Sequence, residues 1–208
     1  MRHLKQGQEY RVYYWNTDKK KWIALVSYTK DNEIELIKNI EGYVAVFVVQ
    51  PISFNDLISK TNTETIINQL NNLALVEGYS TENGSRVFKP NQPITGAEFA
   101  AMQARLLGMI QPGQGRLYEI LSTHQPASDD TWSQPYIKQL QSLIPVDYAD
   151  APTVTKTQAI GSIVQLQQII EERTSEKFTG DLYFPKNNIV SRAEASRLIL
   201  SLIEGFGW

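Results

Sequence analysis

The spacing of apolar positions changes character near Pro51. Before it, aromatic and β-branched residues come in short runs: Tyr10 to Trp15, Lys21 to Val26, Glu33 to Ile37 and Tyr43 to Val49. Turn-forming clusters, Asn16 to Lys20 and Lys30 to Asn32, separate the first three. This pattern predicts a four-strand meander whose first two strands form a hairpin with a loop of about five residues. Lys19 to Lys21 fall at the hairpin tip, where a solvated turn explains them better than a binding patch.

After Pro51 the period lengthens to that of a helix, about 3.6 residues. Thr63-Glu64-Thr65 opens a run with Ile66, Ile67, Leu70, Leu73 and Ala74 on one face, and Gly78 is placed to end it as a left-handed cap. A loop, Ser80 to Gly84, and an extended segment, Phe88 to Pro93, lead to a helix carrying Phe99, Met102, Leu106 and Leu107, with Gly108 as its expected stop. A Gly/Pro-rich stretch from Gln111 to Gly115 and a short helix, Leu117 to Leu121, come next. Ser128 to Thr131 offer N-caps for a helix holding Trp132, Tyr136, Ile137, Leu140 and Leu143, which Pro145 breaks. Two further helices carry Ile160, Ile163, Val164, Ile169 and Ile170, then Leu198, Ile199, Leu200 and Ile203. Gly205 and Gly207 close the last.

Three of these helices open alike: Thr95-Gly96-Ala97-Glu98, Thr155-Lys156-Thr157-Gln158 and Ser191-Arg192-Ala193-Glu194. Each is a capping box, in which the hydroxyl and the residue three positions on satisfy each other's backbone N–H. The second interval is shorter than the first by about the length of one helix and its loop. The chain therefore reads as two full units and a half unit: 51–110, 111–170 and a truncated 171–208, after a β module at 1–50 that can be the end of a larger β domain.

Composition narrows the classes. Twenty basic residues against 22 acidic ones give a net charge of −2, which argues against a nucleic-acid partner. No apolar run is long enough to span a membrane, and no signal-peptide pattern is visible in the residues ahead of the first strand. The opening Met1 to Leu4 runs almost directly into strand-like sequence, as at a boundary within a longer protein. With no cysteine, disulfides and thiolate metal sites are excluded.

Phe54-x-Asp56, Leu70, Leu73, Val76, Gly78-Tyr79, Phe88-x-Pro90 and Ile94-Thr95-x-Ala97-Glu98-Phe99-Ala100 resemble the S-layer homology (SLH) domain. Its pattern ends in Ile-Thr-Arg-Ala-Glu and a second helix. The second unit keeps Asp129-Asp130-x-Trp132 but has Val154-Thr155-Lys156-Thr157-Gln158 for the signature; the third keeps Phe184-Pro185 and Val190-Ser191-Arg192-Ala193-Glu194. The resemblance implies an α+β chain: a small antiparallel β module followed by mainly α-helical SLH repeats packed as a pseudo-three-fold helical bundle. It implies a surface protein held non-covalently to bacterial cell-wall polysaccharide, often pyruvylated, or to peptidoglycan. No cofactor is implied.

The resemblance centres binding on the signature arginine, and the helix end gives it a physical role. A cation at the first helical position opposes the dipole and costs about 0.3–1 kcal/mol when exposed. Structure alone gives no reason for it, whereas an anion held by free N–H groups and a guanidinium would. Arg192 fits that role, unless it is a solvated surface arginine. Lys156 could serve as a point charge. Gly96 reads as a lost contact, or as room for backbone or ligand to approach. Trp132 could stack on a sugar, although packing on its own bundle is the simpler reading. Tyr79 and Phe88 read as groove walls or core.

Two other classes compete. Catalysis has little to work with: His3 and His124 stand in no metal or triad spacing, and Asp129-Asp130 and Glu171-Glu172 are simpler as caps and solvated charge than as glycosidase carboxylates. Self-association through exposed edges of the β module is the third class.

Overall fold

The computed structural model describes residues 9–17, 21–24, 27–30, 33–36, 42–49, 52–73, 75–110, 132–174 and 176–207. The chain is α+β. Its first part holds β1 (Glu9–Asn16), β2 (Lys21–Ala24), β3 (Ser27–Lys30), β4 (Glu33–Leu36) and β5 (Val44–Val49). These do not form the expected four-strand meander. β1 lies between β2 and β5, antiparallel to both, while β3 and β4 pair as a separate hairpin. The long-range pairing brings together the two longest strands of this part, with Val12 opposite Val46 and the Tyr13 and Phe47 rings edge-on at 5.2 Å. Such cross-strand pairs are the unit of sheet stability, and here they outweigh pairing between sequence neighbours. Lys19 and Lys20 lie outside the described residues.

α1 (Asn62–Asn72) is capped by Thr61, whose hydroxyl accepts from Glu64 N–H, and buries Ile66, Ile67 and Leu70. It ends at Leu73, well before Gly78. Gly78 is not a left-handed cap, because its φ is not positive. It is glycine because a Cβ would lie 2.3 Å from both the Phe54 ring and the Val87 carbonyl. A two-stranded hairpin, β6 (Tyr79–Ser80) and β7 (Arg86–Val87), follows. Asp56 then ties the start of this unit to its end, accepting from Phe88 N–H at 2.7 Å and Lys89 N–H at 2.6 Å. The Phe54 and Phe88 rings meet edge-on above it at 5.5 Å.

α2 (Gly96–Ile110) runs through Gly108 instead of stopping there. Glycine inside a helix costs only about 1 kcal/mol relative to alanine, less than the burial of neighbouring Leu106 and Leu107 returns. α3 (Gln134–Gln141) starts later than expected, after Ser133, so Trp132 precedes it in a turn. It ends at Ser142, before Pro145. The short helix expected at Leu117 to Leu121 and the caps at Ser128 to Thr131 lie outside the described residues. α4 (Lys156–Thr174) and α5 (Arg192–Gly205) begin at their boxes. Gly207, at φ 74°, closes α5 and donates to Glu204 O.

α2, α4 and α5 pack against one another, with α1 laid on α5 and α3 on α2. Their shared core includes Leu70, Phe88, Phe99, Leu106, Leu140, Ile163, Leu166, Leu198 and Leu202. The residues just before the three boxes close a ring of backbone hydrogen bonds. Ile94 N–H donates to Val190 O at 3.0 Å, Val190 N–H to Val154 O at 2.9 Å, and Val154 N–H to Ile94 O at 3.1 Å. All three are buried, so each must pair its backbone groups, and each finds its partners on the other two.

Candidate functional site

All three boxes form. Thr95 and Glu98, Thr155 and Gln158, and Ser191 and Glu194 each exchange the two reciprocal bonds, at 3.0 to 3.3 Å. The residue after each cap then inserts its N–H into a neighbouring segment. Gly96 donates to Ala151 O at 2.9 Å, Lys156 to Asn188 O at 2.7 Å and Arg192 to Gln92 O at 2.9 Å. The three seams so made carry three different side chains.

At the first seam nothing but glycine fits. A Cβ on Gly96 would lie 1.7 Å from Tyr148 O, so the backbone of the loop preceding α4 occupies the space a side chain would need. Close approach, not a lost contact, explains this residue. The loop is fixed beneath by a closed triangle of buried polar groups. Gln103 Nε2 donates to Tyr148 Oη at 2.7 Å, Ser162 Oγ donates to Gln103 Oε1 at 2.6 Å, and the two hydroxyls lie 2.8 Å apart. Burial pushes the Tyr148 phenol from 10.0 up to about 12, with the Ser162 and Gln103 bonds opposing the shift.

Arg192 is neither a solvated arginine nor part of an open anion site at the second seam. It is 6% exposed. Its Nε donates to Phe88 O at 2.8 Å, Nη2 to Glu77 O at 2.9 Å, and Nη1 to Tyr79 Oη at 2.9 Å and to the Glu98 carboxylate. The guanidinium also lies 4.7 Å from the Phe88 and Tyr79 ring centres, within cation–π range. Tyr79 donates its hydroxyl to the same Glu98 oxygen. Burial first, then Glu98, pushes this phenol up to about 12 against the pull of Arg192. The helix end is equally occupied: Ala193 N–H donates to Pro90 O and Glu194 N–H to Ser191 Oγ. The expectation that structure alone offers no reason for a cation here is therefore corrected. The reason is Glu98 and three other acceptors of the first unit.

Lys156 differs. It is half-buried at the third seam, beside the bridge between Thr155 and Ile189, and its ammonium meets no acceptor among the described residues. The corresponding acid, Glu194, is engaged elsewhere, accepting from Lys186 N–H at 2.9 Å, Asn187 N–H at 3.4 Å and Ser191 N–H at 3.0 Å. Burial pushes the Glu194 carboxyl up, but these donors more than cancel it and hold it below the usual 4.5. Trp132 belongs to neither cationic seam. It packs half-buried on the core, with its ring centre 6.2 Å from that of Tyr136.

Sequence reasoning missed Glu98 and Tyr79 as partners of Arg192. Glu98 was spoken for as a box residue, and only its second carboxylate oxygen is needed for that. No group of acidic and histidine side chains able to hold a metal occurs among the described residues, and no described helix is long and apolar enough to cross a membrane.

Residues 53–100 match the family model of the S-layer homology domain. The matched stretch runs from Ser53 through α1, the β6–β7 hairpin and the first box into α2. No curated protein sequence matches the chain.

Proposed function

We propose that this chain, which carries an S-layer homology domain at residues 53–100, holds its parent protein on the bacterial cell surface by non-covalent binding to cell-wall polysaccharide. Domains of this family are in general cell-wall anchoring modules, and the match over the first unit is the observation that carries the reading. Residues 111–170 and 171–208 serve as a second and a truncated third repeat in a pseudo-three-fold bundle. The closed ring through Ile94, Val154 and Val190 and the mutual packing of α2, α4 and α5 support that arrangement. Binding, not catalysis, is the role assigned.

Within that frame the third seam is the binding groove. Of the three equivalent positions, Gly96 is covered by backbone and Arg192 is paired with Glu98 inside the protein, whereas the Lys156 ammonium meets no acceptor among the described residues. A cation held against a helix start suits an acidic substituent such as a pyruvyl ketal carboxylate. Co-sedimentation with purified walls tests the role. The whole chain is expected to pellet with intact walls and to stay in solution with walls stripped of their secondary polysaccharide. Equal pelleting with both would shift the ligand to peptidoglycan, and no pelleting would end the anchoring claim.

One observation favours a second reading, a structural or self-associating module that no longer binds glycan. The signature arginine that centres binding in the resemblance has all its donors turned inward.

A further inference from the structure

The three seams share one more equivalent position. Phe88, Tyr148 and Phe184 each stand six residues before Ile94, Val154 and Val190, the residues of the hydrogen-bonded ring. At two seams the residue after the helix cap is brought onto this position of the neighbouring unit. Arg192 Nε donates to Phe88 O at 2.8 Å, and a Cβ on Gly96 would lie 1.7 Å from Tyr148 O. The third seam repeats the backbone approach of the second. Arg192 N–H donates to Gln92 O and Lys156 N–H to Asn188 O, and each acceptor stands four residues after its aromatic. The register of the repeat therefore sets Lys156 against the Phe184 segment as it sets Arg192 against the Phe88 segment.

The three rings differ in cover. Phe88 is 1% and Tyr148 2% exposed, whereas Phe184 is 57% exposed. The Phe54 ring meets Phe88 at 5.5 Å and the Phe99 ring meets Tyr148 at 5.7 Å. In the third unit, residues 176–183 form no helix and no hairpin on which such a ring could be carried. A single exposed apolar side chain is ordinary on a protein surface. This one belongs to the seam whose cation also meets no acceptor among the described residues, and that coincidence sets it apart.

The second seam shows what fills such a place. There the cation lies 4.7 Å from the Phe88 ring centre and holds two further groups, the six-membered ring of Tyr79 at 4.7 Å and the Glu98 carboxylate. At the third seam the corresponding acid, Glu194, is turned to backbone N–H groups at Lys186, Asn187 and Ser191. We propose that Phe184 is a ligand-binding residue of this seam, the platform on which the ring of an acidic sugar lies while its carboxylate meets Lys156. The C–H groups on one face of a pyranose carry slight positive charge and suit the negative face of an aromatic ring. Taking both surfaces out of water adds a hydrophobic gain. The sugar's carboxylate replaces the acid that the chain directs elsewhere. A neutral sugar would satisfy the ring alone and a small free acid the lysine alone, so the pair selects a sugar that bears an acid.

This inference rests on the glycan-binding reading of the third seam, and one experiment separates the two. Surface plasmon resonance on immobilised, purified wall polysaccharide compares the whole chain with Phe184→Leu and Phe184→Tyr. Leucine keeps an apolar side chain but has no aromatic face, so Phe184→Leu is expected to bind about tenfold more weakly or worse. Phe184→Tyr keeps the face and should stay within about threefold of the wild type. Both variants should unfold at the wild-type temperature. Wild-type binding with undiminished affinity in Phe184→Leu overturns the platform and leaves the anchoring role standing. A marked drop in the unfolding temperature of Phe184→Leu overturns it equally, since the ring would then belong to the packing of the chain itself. No binding by the wild type removes the anchoring role and this inference with it.

Discussion

Arg192 donates from all three guanidinium nitrogens into a unit roughly a hundred residues away in sequence, and its ion pair with Glu98 is almost wholly shielded, at 7% and 16% side-chain exposure. Removing one partner of a buried pair leaves the other charge uncompensated, at a cost of about 3–5 kcal/mol. Arg192→Ala should therefore lower the unfolding temperature by roughly 10 °C. Arg192→Lys should recover only part of this, since an ammonium cannot span the Phe88, Glu77 and Glu98 acceptors together. A loss below about 1 kcal/mol would return the residue to the class of surface ion pairs. Glu194 gives a pH signature. Its folded pKa is depressed, so its contribution is present above the usual 4.5 and is lost as pH falls through the lower folded value. In acid titrations the wild type should exceed Glu194→Gln in stability at neutral pH, and the gap should narrow below the usual value. A gap that widens in acid would contradict the assignment. Arg192 was legible as a special residue because a cation at a helix start runs against the dipole. Its partner was not, because nothing local in the sequence links it to Glu98.

Glycine separates two situations at the level of the helices. Gly96 opens α2 under the carbonyl of Tyr148, and Gly161 lies in the open middle of α4. The same change to alanine should have opposite signs. Gly96→Ala forces a Cβ against backbone that cannot yield and should cost about 1–3 kcal/mol or more. Gly161→Ala, measured in dilute solution, should stabilise by up to about 1 kcal/mol. Thermal unfolding of the two variants checks both, and equal effects would refute the close packing at the first seam. The three boxes and the apolar stripes behind them placed the starts of α2, α4 and α5 correctly, because capping is a local interaction written within four residues. Stops were less legible. Gly108 and Gly78 carry the signature of a helix end, but α2 runs on through the first, and the second owes its place to the close approach of the Phe54 ring. The pairing of β1 with β5 was hidden for the same reason: alternation shows where strands are and leaves their neighbours open.

Across the whole molecule, three helix starts meet in one ring and make three seams that carry glycine, lysine and arginine at one equivalent position. Composition narrowed the classes of function to weigh, and the motifs of residues 54–100 pointed to the family. Which seam leaves its cation without an acceptor among the described residues depended on long-range partners that no spacing reveals. Lys156 carries the proposed binding. Isothermal titration of the whole chain with soluble, purified wall polysaccharide measures it most directly, comparing wild type, Lys156→Gln and Lys156→Arg. The prediction is saturable binding by the wild type, at least tenfold weaker binding by Lys156→Gln, and substantial recovery by Lys156→Arg, with all three unfolding at similar temperatures. Equal affinity of wild type and Lys156→Gln for the polysaccharide would contradict it.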